Sequence, residues 1–263
     1  MAGAERFRQR YGPWALVAGA SVGLGAAYAR ALACRGLHLV LAARRAAPLQ
    51  ELAAELGARH GIEIRCIAGD LADAATIARL AEEASRIDIG LLVYNAAHAP
   101  LGDFSAVDAA SLERVVDVNV RGPVLLARAV LPGMAARGRG GIVLMSSLAG
   151  NQGTARIAAY AASKAFNRVL AEGLWQELKP RGVDVVACSA GAVRTPGYAG
   201  TAGSDAPGTL DADTVAERTL EALRRGPLVI PGIVNRLAAV LLGRLLPRRA
   251  AIRIMAGTTR RLS

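Results

Sequence analysis

Short apolar runs alternate with longer stretches of mixed character along the whole chain. Residues 14–18, 37–42, 62–68, 89–94, 141–146 and 183–188 are nearly continuous apolar runs. Strands apolar on both faces belong to a parallel sheet covered by helices on each side. Between them, residues 24–35, 46–59, 73–86, 108–136 and 157–179 carry helical periodicity, and a helix near 212–225 precedes a short strand at 228–230. This β-α rhythm predicts an α/β fold, a doubly wound, Rossmann-like parallel sheet with helices on both faces. No repeat or linker interrupts it, so residues 1–263 are expected to form one domain. Two stretches leave the rhythm. Residues 191–211, rich in Gly, Ala, Thr and Pro, follow the carboxyl end of a strand, where open α/β sheets bind ligands; a substrate lid is expected there. Residues 233–263 mix Leu with Arg and read as a basic amphipathic extension whose helix ends at Pro247.

The 263 residues are ample for a full core. Cys34, Cys66 and Cys188 are scattered, without a C-x-x-C pair or a neighbouring histidine cluster. They read as buried thiols of a reducing, cytoplasmic compartment, and no metal site is expected. Arg6, Arg8 and Arg10 before residues 14–24 imitate a secretion signal, but Gly19, Ser21 and Gly23 break the apolar run, and export is not expected. Residues 237–242 are too few to span a bilayer. The net charge of +11 is concentrated late: no acidic residue follows Glu221, whereas nine arginines do. Without stacking aromatics or a reading helix, this does not indicate nucleic-acid binding. It leaves peripheral membrane contact, a second subunit or a cover over the pocket as roles for the extension.

Chemistry concentrates at Tyr160 and Lys164, four residues apart and so on one face of a helix. Only two of the 32 basic residues are lysine, which makes the pairing stand out. A nearby ammonium favours phenolate, and lowering a phenol by about three pH units takes roughly 4 kcal/mol. Tyr160 is therefore expected to exchange protons near neutrality. At the other end, Gly19, Gly23 and Gly25 follow the first strand as G-x-x-x-G-x-G, with Ser21, Val22 and Leu24 between them and a helix opening behind. Such a turn lets a pyrophosphate approach backbone N–H groups.

Together with Asp70-Leu71, Asn95-Ala96, Asn119 and Ser146-Ser147, these motifs resemble the short-chain dehydrogenases/reductases, simple one-domain branch, over roughly residues 12–232. The resemblance implies a nicotinamide-dependent oxidoreductase acting on a carbonyl or alcohol carbon. Ser147 would bind the substrate oxygen, Tyr160 transfer the proton, Lys164 tune Tyr160 and hold the nicotinamide ribose, and Asn119 support a proton relay. Gly19, Ser21, Val22, Gly23, Leu24 and Gly25 would bind the pyrophosphate, Asp70 and Leu71 the adenine, and Asn95 and Ala96 the cofactor beside strand four. Gly191, Val193 and Thr195 would hold the nicotinamide carboxamide, although Ala190 replaces the usual proline. Strand two ends on Arg44 and Arg45 in place of a carboxylate, so NADP(H) is expected over NAD(H). Few charges flank the expected substrate pocket, which favours a hydrophobic carbonyl or alcohol, and a homodimer or homotetramer is expected. The competing readings are a non-catalytic NADP(H)-binding protein and a membrane- or partner-associated protein of the same fold.

Overall fold

The computed structural model describes residues 2–199 and 205–259. Seven parallel strands form one sheet: β1 (Trp14–Ala18), β2 (His38–Ala43), β3 (Ile64–Ala68), β4 (Ile89–Tyr94), β5 (Gly140–Ser147), β6 (Val183–Ala190) and, after two short strands, β9 (Leu228–Val229). Their order is β3-β2-β1-β4-β5-β6-β9. The direction of winding therefore reverses between β1 and β4, and ligands of such sheets bind outside the carboxyl ends at that point.

The helices complete two layers. α2 (Gly23–Ala33), α3 (Ala46–His60) and α9 (Ala212–Ala222) contribute to one core, with Leu32, Leu49 and Leu220 packing on Ala15 and Val17. α4 (Ala74–Arg86), α6 (Gly122–Ala136) and α7 (Ala158–Leu178) contribute to the other, with Leu80, Leu126 and Ala171 around Leu16 and Ala18. Successive residues of β1 thus enter opposite cores, which is why its sequence has no polar face. β3 is the exception. As the sheet's edge it leaves Cys66 exposed, and Cys34 is exposed at the end of α2; only Cys188 is buried. The expectation of three buried thiols is corrected accordingly.

Helix α1 (Ala2–Tyr11) precedes the sheet and was not anticipated. Its last turn is tied to β6, where Arg10 Nε and Tyr11 Oη both donate to Asp184 Oδ2 at 2.7 Å. The long helix expected at 108–136 is instead α5 (Ala109–Val116) and α6 joined by a π-helical turn, Asp117–Arg121. Tyr94 Oη donates to the Val118 carbonyl at 2.6 Å inside that turn, and a Cβ on Gly122 would lie 2.1 Å from the same hydroxyl. The hydroxyl inserted against the helix ladder accounts for the extra residue of the turn.

Past β6 the chain forms a two-stranded sheet of β7 (Val193–Arg194) and β8 (Leu210–Asp211), with the short α8 (Pro196–Ala199) between them. Residues 200–204 of the expected lid lie outside the described residues. The C-terminal segment comprises α10 (Ile233–Val240), a π-helical turn Leu241–Leu245, a break at extended Leu246, and α11 (Arg248–Thr259). The helix does stop before Pro247, but a second one starts directly after it; Arg260 and Arg261 lie outside the described residues. Among the described residues no helix is long and apolar enough to cross a membrane.

Candidate active site

A cleft of about 370 Å³ opens at the carboxyl ends of β1, β2 and β4. Its floor is the glycine turn. Gly19 and Gly23 have φ of +85° and +58°, accessible to glycine without strain, and a Cβ on Gly25 would come 1.8 Å from the Gly19 carbonyl. Asn95 Nδ2 donates to that carbonyl at 2.9 Å and fixes the turn against β4. Val22 caps α2 without a side-chain hydrogen bond, so the first N–H groups of the helix face the cleft unclaimed by a cap. These features fit a dinucleotide pyrophosphate. Gly19, Ser21, Val22, Gly23, Leu24, Arg44, Arg45, Asp70, Leu71, Asn95, Ala96 and Thr195 all line the cleft.

Five expected cofactor residues, Gly25, Tyr160, Lys164, Gly191 and Val193, do not form its wall. Gly25 lies beneath the turn, while Gly191 faces Asn235, a Cβ there meeting the Asn235 Oδ1 at 2.6 Å. Val193 pairs with Leu210 in the small sheet. Lys164, like its partner Tyr160, sits behind the cleft on α7. The sequence does not single out Arg114 as a wall residue, and His98, expected at the substrate pocket, lines this cleft as well. Arg114 Nη2 donates to Asp70 Oδ2, and the Ala72 N–H donates to Asp70 Oδ1 at 3.0 Å. Burial works against the Asp70 carboxylate, but the Arg114 hydrogen bond, the Ala72 N–H and the charges of Arg114 and Arg44 hold its pKa below the usual range. Three arginines against one aspartate make this end of the cleft cationic, as phosphates require.

Hydrogen bonds connect the cleft to α7. Asn119, fully buried in the π-helical turn, accepts from the His98 N–H at 2.7 Å and donates to the His98 carbonyl at 2.8 Å and to Ser163 Oγ at 2.9 Å. Ser163 Oγ in turn donates to the Tyr160 carbonyl at 2.7 Å. One wall residue of the cleft is thus held in register with the helix that carries Tyr160 and Lys164. Ser147, the last residue of β5, accepts from the Ala149 N–H at 3.2 Å and lies close enough to Tyr160 for its hydroxyl to favour the phenolate. Ser146, its neighbour at the same strand end, instead donates to the Lys164 carbonyl at 2.7 Å and anchors α7.

Lys164 is buried, 5.5 Å from the Tyr160 ring centroid, and its Nζ donates to the Met145 carbonyl at 3.0 Å. Burial pushes this ammonium down to about 8, with nearby Cys188 acting weakly the other way. Burial also raises the Tyr160 phenol above its ordinary pKa, and the Ser147 hydroxyl opposes that only in part. The expected acidification of Tyr160 is therefore corrected. Among the described residues the ammonium lies against the ring and the Met145 carbonyl and is not hydrogen-bonded to the phenol oxygen, with Lys164 buried and Tyr160 half-buried. A protonated Tyr160 beside a hydroxyl donor can give a proton to an oxygen on which negative charge develops.

Residues 13–202 match the family model described as short chain dehydrogenase. The chain belongs to the short-chain dehydrogenase family. It is accordingly an oxidoreductase of the CH–OH/C=O class, built to bind a nicotinamide cofactor. A 7β-hydroxysteroid dehydrogenase of Clostridium sardiniense is 36% identical over 190 residues, 72% of this dehydrogenase and 73% of that protein. A very-long-chain 3-oxoacyl-CoA reductase of Podospora anserina is 37% identical over 179 residues, 66% of this chain and 53% of that protein, so the match spans about half of that relative's length. Among solved structures, one of a 7β-hydroxysteroid dehydrogenase superposes with a TM-score of 0.89 at 25% identity, covering 95% of this chain and 98% of that one. A short-chain dehydrogenase from Sphingobium yanoikuyae in complex with NADPH superposes with a TM-score of 0.77 at 35% identity, covering 84% and 88%.

Proposed function

We propose that this dehydrogenase is an NADP(H)-dependent oxidoreductase interconverting a hydrophobic ketone or aldehyde and its alcohol, with Tyr160 as proton donor and acceptor. The observation that carries the reading is the hydrogen-bonded path from His98 through Asn119 and Ser163 to the turn of α7 bearing Tyr160, with Ser147 alongside. Gly19, Ser21, Gly23 and Leu24 would hold the pyrophosphate, Leu71 the adenine, and Thr195 the nicotinamide end. Arg44, exposed and without an ion pair among the described residues, would take a 2′-phosphate, with Arg45 second. The bound nicotinamide supplies or accepts the hydride. In the reducing direction Ser147 donates a hydrogen bond to the substrate oxygen, and Tyr160 releases its proton to the same oxygen as charge builds there. Lys164, packed against the Tyr160 ring and tied to the Met145 carbonyl, would hold the nicotinamide ribose, and Asn119 orders the segment through which the proton returns.

A hydrophobic substrate is favoured by the small and apolar residues around the site and by the steroid and long-chain acyl substrates in the names of the two relatives. Assembly as a homodimer or homotetramer is supported by Val116, Val124, Leu125, Phe166 and Val169, all exposed on the helices next to Asn119 and Tyr160. The non-catalytic alternative is disfavoured because Ser147, Tyr160, Lys164 and Asn119 are all present and clustered. The test is a panel of steroid ketones, 3-oxoacyl thioesters and aliphatic ketones, followed by loss of nicotinamide absorbance. Tyr160→Phe is expected to abolish turnover and retain NADPH binding; substantial remaining turnover would refute the assignment.

A further inference from the structure

The C-terminal segment is docked by one face and bare on the other. On the inner side Asn235 is buried, its Nδ2 donating to the Pro231 carbonyl at 2.9 Å and the Gly208 carbonyl at 3.0 Å. Ala251 is fully buried, and Arg248 Nη1 donates to the Asn151 carbonyl at 2.7 Å. That carbonyl belongs to the short helical turn Leu148–Asn151 directly after Ser147, so the segment rests beside the catalytic end of the sheet.

The outer face is apolar. Ile233, Leu237, Val240, Leu241 and Leu245 are 66, 65, 46, 48 and 71% exposed. Spacings of three, four and eight put them on one stripe of α10 and its π-helical turn. Eight of the fifteen exposed large hydrophobic residues among the described residues fall between Ile233 and Ile254. Arg236, Arg244, Arg249 and Arg253 are exposed among them, and no carboxylate side chain follows Glu221.

That charge pattern selects the occupant. A two-fold interface presents the same patch from both subunits, so pairing this face with itself would set arginine against arginine with no acid from the segment to answer. An anionic lipid surface answers both features, taking the leucines among its acyl chains and the guanidinium groups among its headgroups. We infer that the outer face of residues 233–254 seats the protein on anionic membranes, lying in the interface plane with the Ser147 end of the fold turned towards the bilayer. The inference rests on the Proposed function only for the meaning of that orientation: a hydrophobic substrate would enter from the lipid side.

Sedimentation of the full chain with phosphatidylcholine vesicles, with and without phosphatidylglycerol, tests it without reference to turnover. Wild type is expected to sediment with the anionic vesicles only. Arg236→Gln/Arg244→Gln/Arg253→Gln should lower the partition coefficient on the order of 100-fold, at about fivefold per arginine. Leu237→Ser/Leu241→Ser/Leu245→Ser should abolish binding, while light scattering gives an unchanged subunit number. NADPH binding by each variant verifies that it has folded, and these exposed side chains are not part of the core. Equal sedimentation of wild type and variants, no binding by wild type, or a smaller assembly in the leucine variant would overturn the inference. A protein that binds vesicles but turns over no ketone would leave it standing and remove the enzymatic reading alone.

Discussion

Lys164→Met separates what the site does for chemistry from what it costs the fold. Lys164 is 3% exposed and makes one side-chain hydrogen bond among the described residues, to the Met145 carbonyl. Burial lowers its pKa from 10.5 to about 8. At roughly 1.4 kcal/mol per pH unit, this interval weighs about 3 kcal/mol against the charged side chain at pH 7. The sign follows from the protons bound. Between pH 8 and 10.5 the unfolded chain keeps a proton that the folded chain has released, so the wild type gains stability as pH rises through that window. Methionine keeps the length and removes the charge, but leaves the Met145 carbonyl with only the long contact from Asn167 Nδ2 at 3.5 Å, at a cost of about 1 kcal/mol. The variant is therefore expected to be about 2 kcal/mol more stable than wild type at pH 7. Its melting temperature should rise by about 4–8 °C. The advantage should close as pH climbs from 8 towards 10.5. Urea unfolding of both proteins at several pH values, followed by tryptophan fluorescence, measures this directly. A variant less stable at pH 7, or a gap that does not change with pH, would refute the claim that an uncompensated buried cation dominates here. Turnover should be lost in the same variant, which would make Lys164 a case of stability given up for activity.

Removing the Arg44 guanidinium (Arg44→Ala) is expected to weaken NADPH binding by about 10- to 100-fold, the worth of a charge-assisted hydrogen bond, and to leave NADH binding within about twofold. Fluorescence titration with each cofactor decides it, and parallel losses would show that Arg44 does not read the 2′-phosphate. Gly122→Ala pushes a Cβ to 2.1 Å from Tyr94 Oη and should cost about 1–3 kcal/mol by overpacking. Adding Tyr94→Phe removes the nearest clashing atom, so the double variant should lose less than the two single losses combined; simple additivity in urea unfolding would sink this account of the π-helical turn. Gln152 is 3% exposed, and both its polar side-chain atoms lack a partner among the described residues. Gln152→Met is expected to raise stability by about 1–2 kcal/mol, read as a rise in melting temperature. An unchanged melting temperature would mean that the amide is already satisfied.

What could be read in the chain was whatever chemistry keeps at short range. The glycines at 19, 23 and 25 must lie together because one turn contains them, and Tyr160 and Lys164 must share a helical face. The buried runs of β1 and β4 announce a covered parallel sheet. What escaped depends on partners supplied from elsewhere. Asn119 is a poor helix former, but the distortion around it is set by Tyr94, 24 residues before Val118, and by the room left at Gly122. Asp70 meets Arg114 across 44 residues, so no local spacing links them. The ionisation of Tyr160 was misjudged for the same reason: spacing brings the cation near, but the amount of water left around both groups is decided by distant segments packed over them. The C-terminal segment makes the point most plainly. Its leucine-arginine periodicity is the same whether the leucines face the protein or the solvent. It is the burial of Asn235 and Ala251 that turns the small and polar side inward and the leucines outward. Hydrophobic periodicity names a face of a helix, and only the contacts on the opposite face determine which way that face is turned.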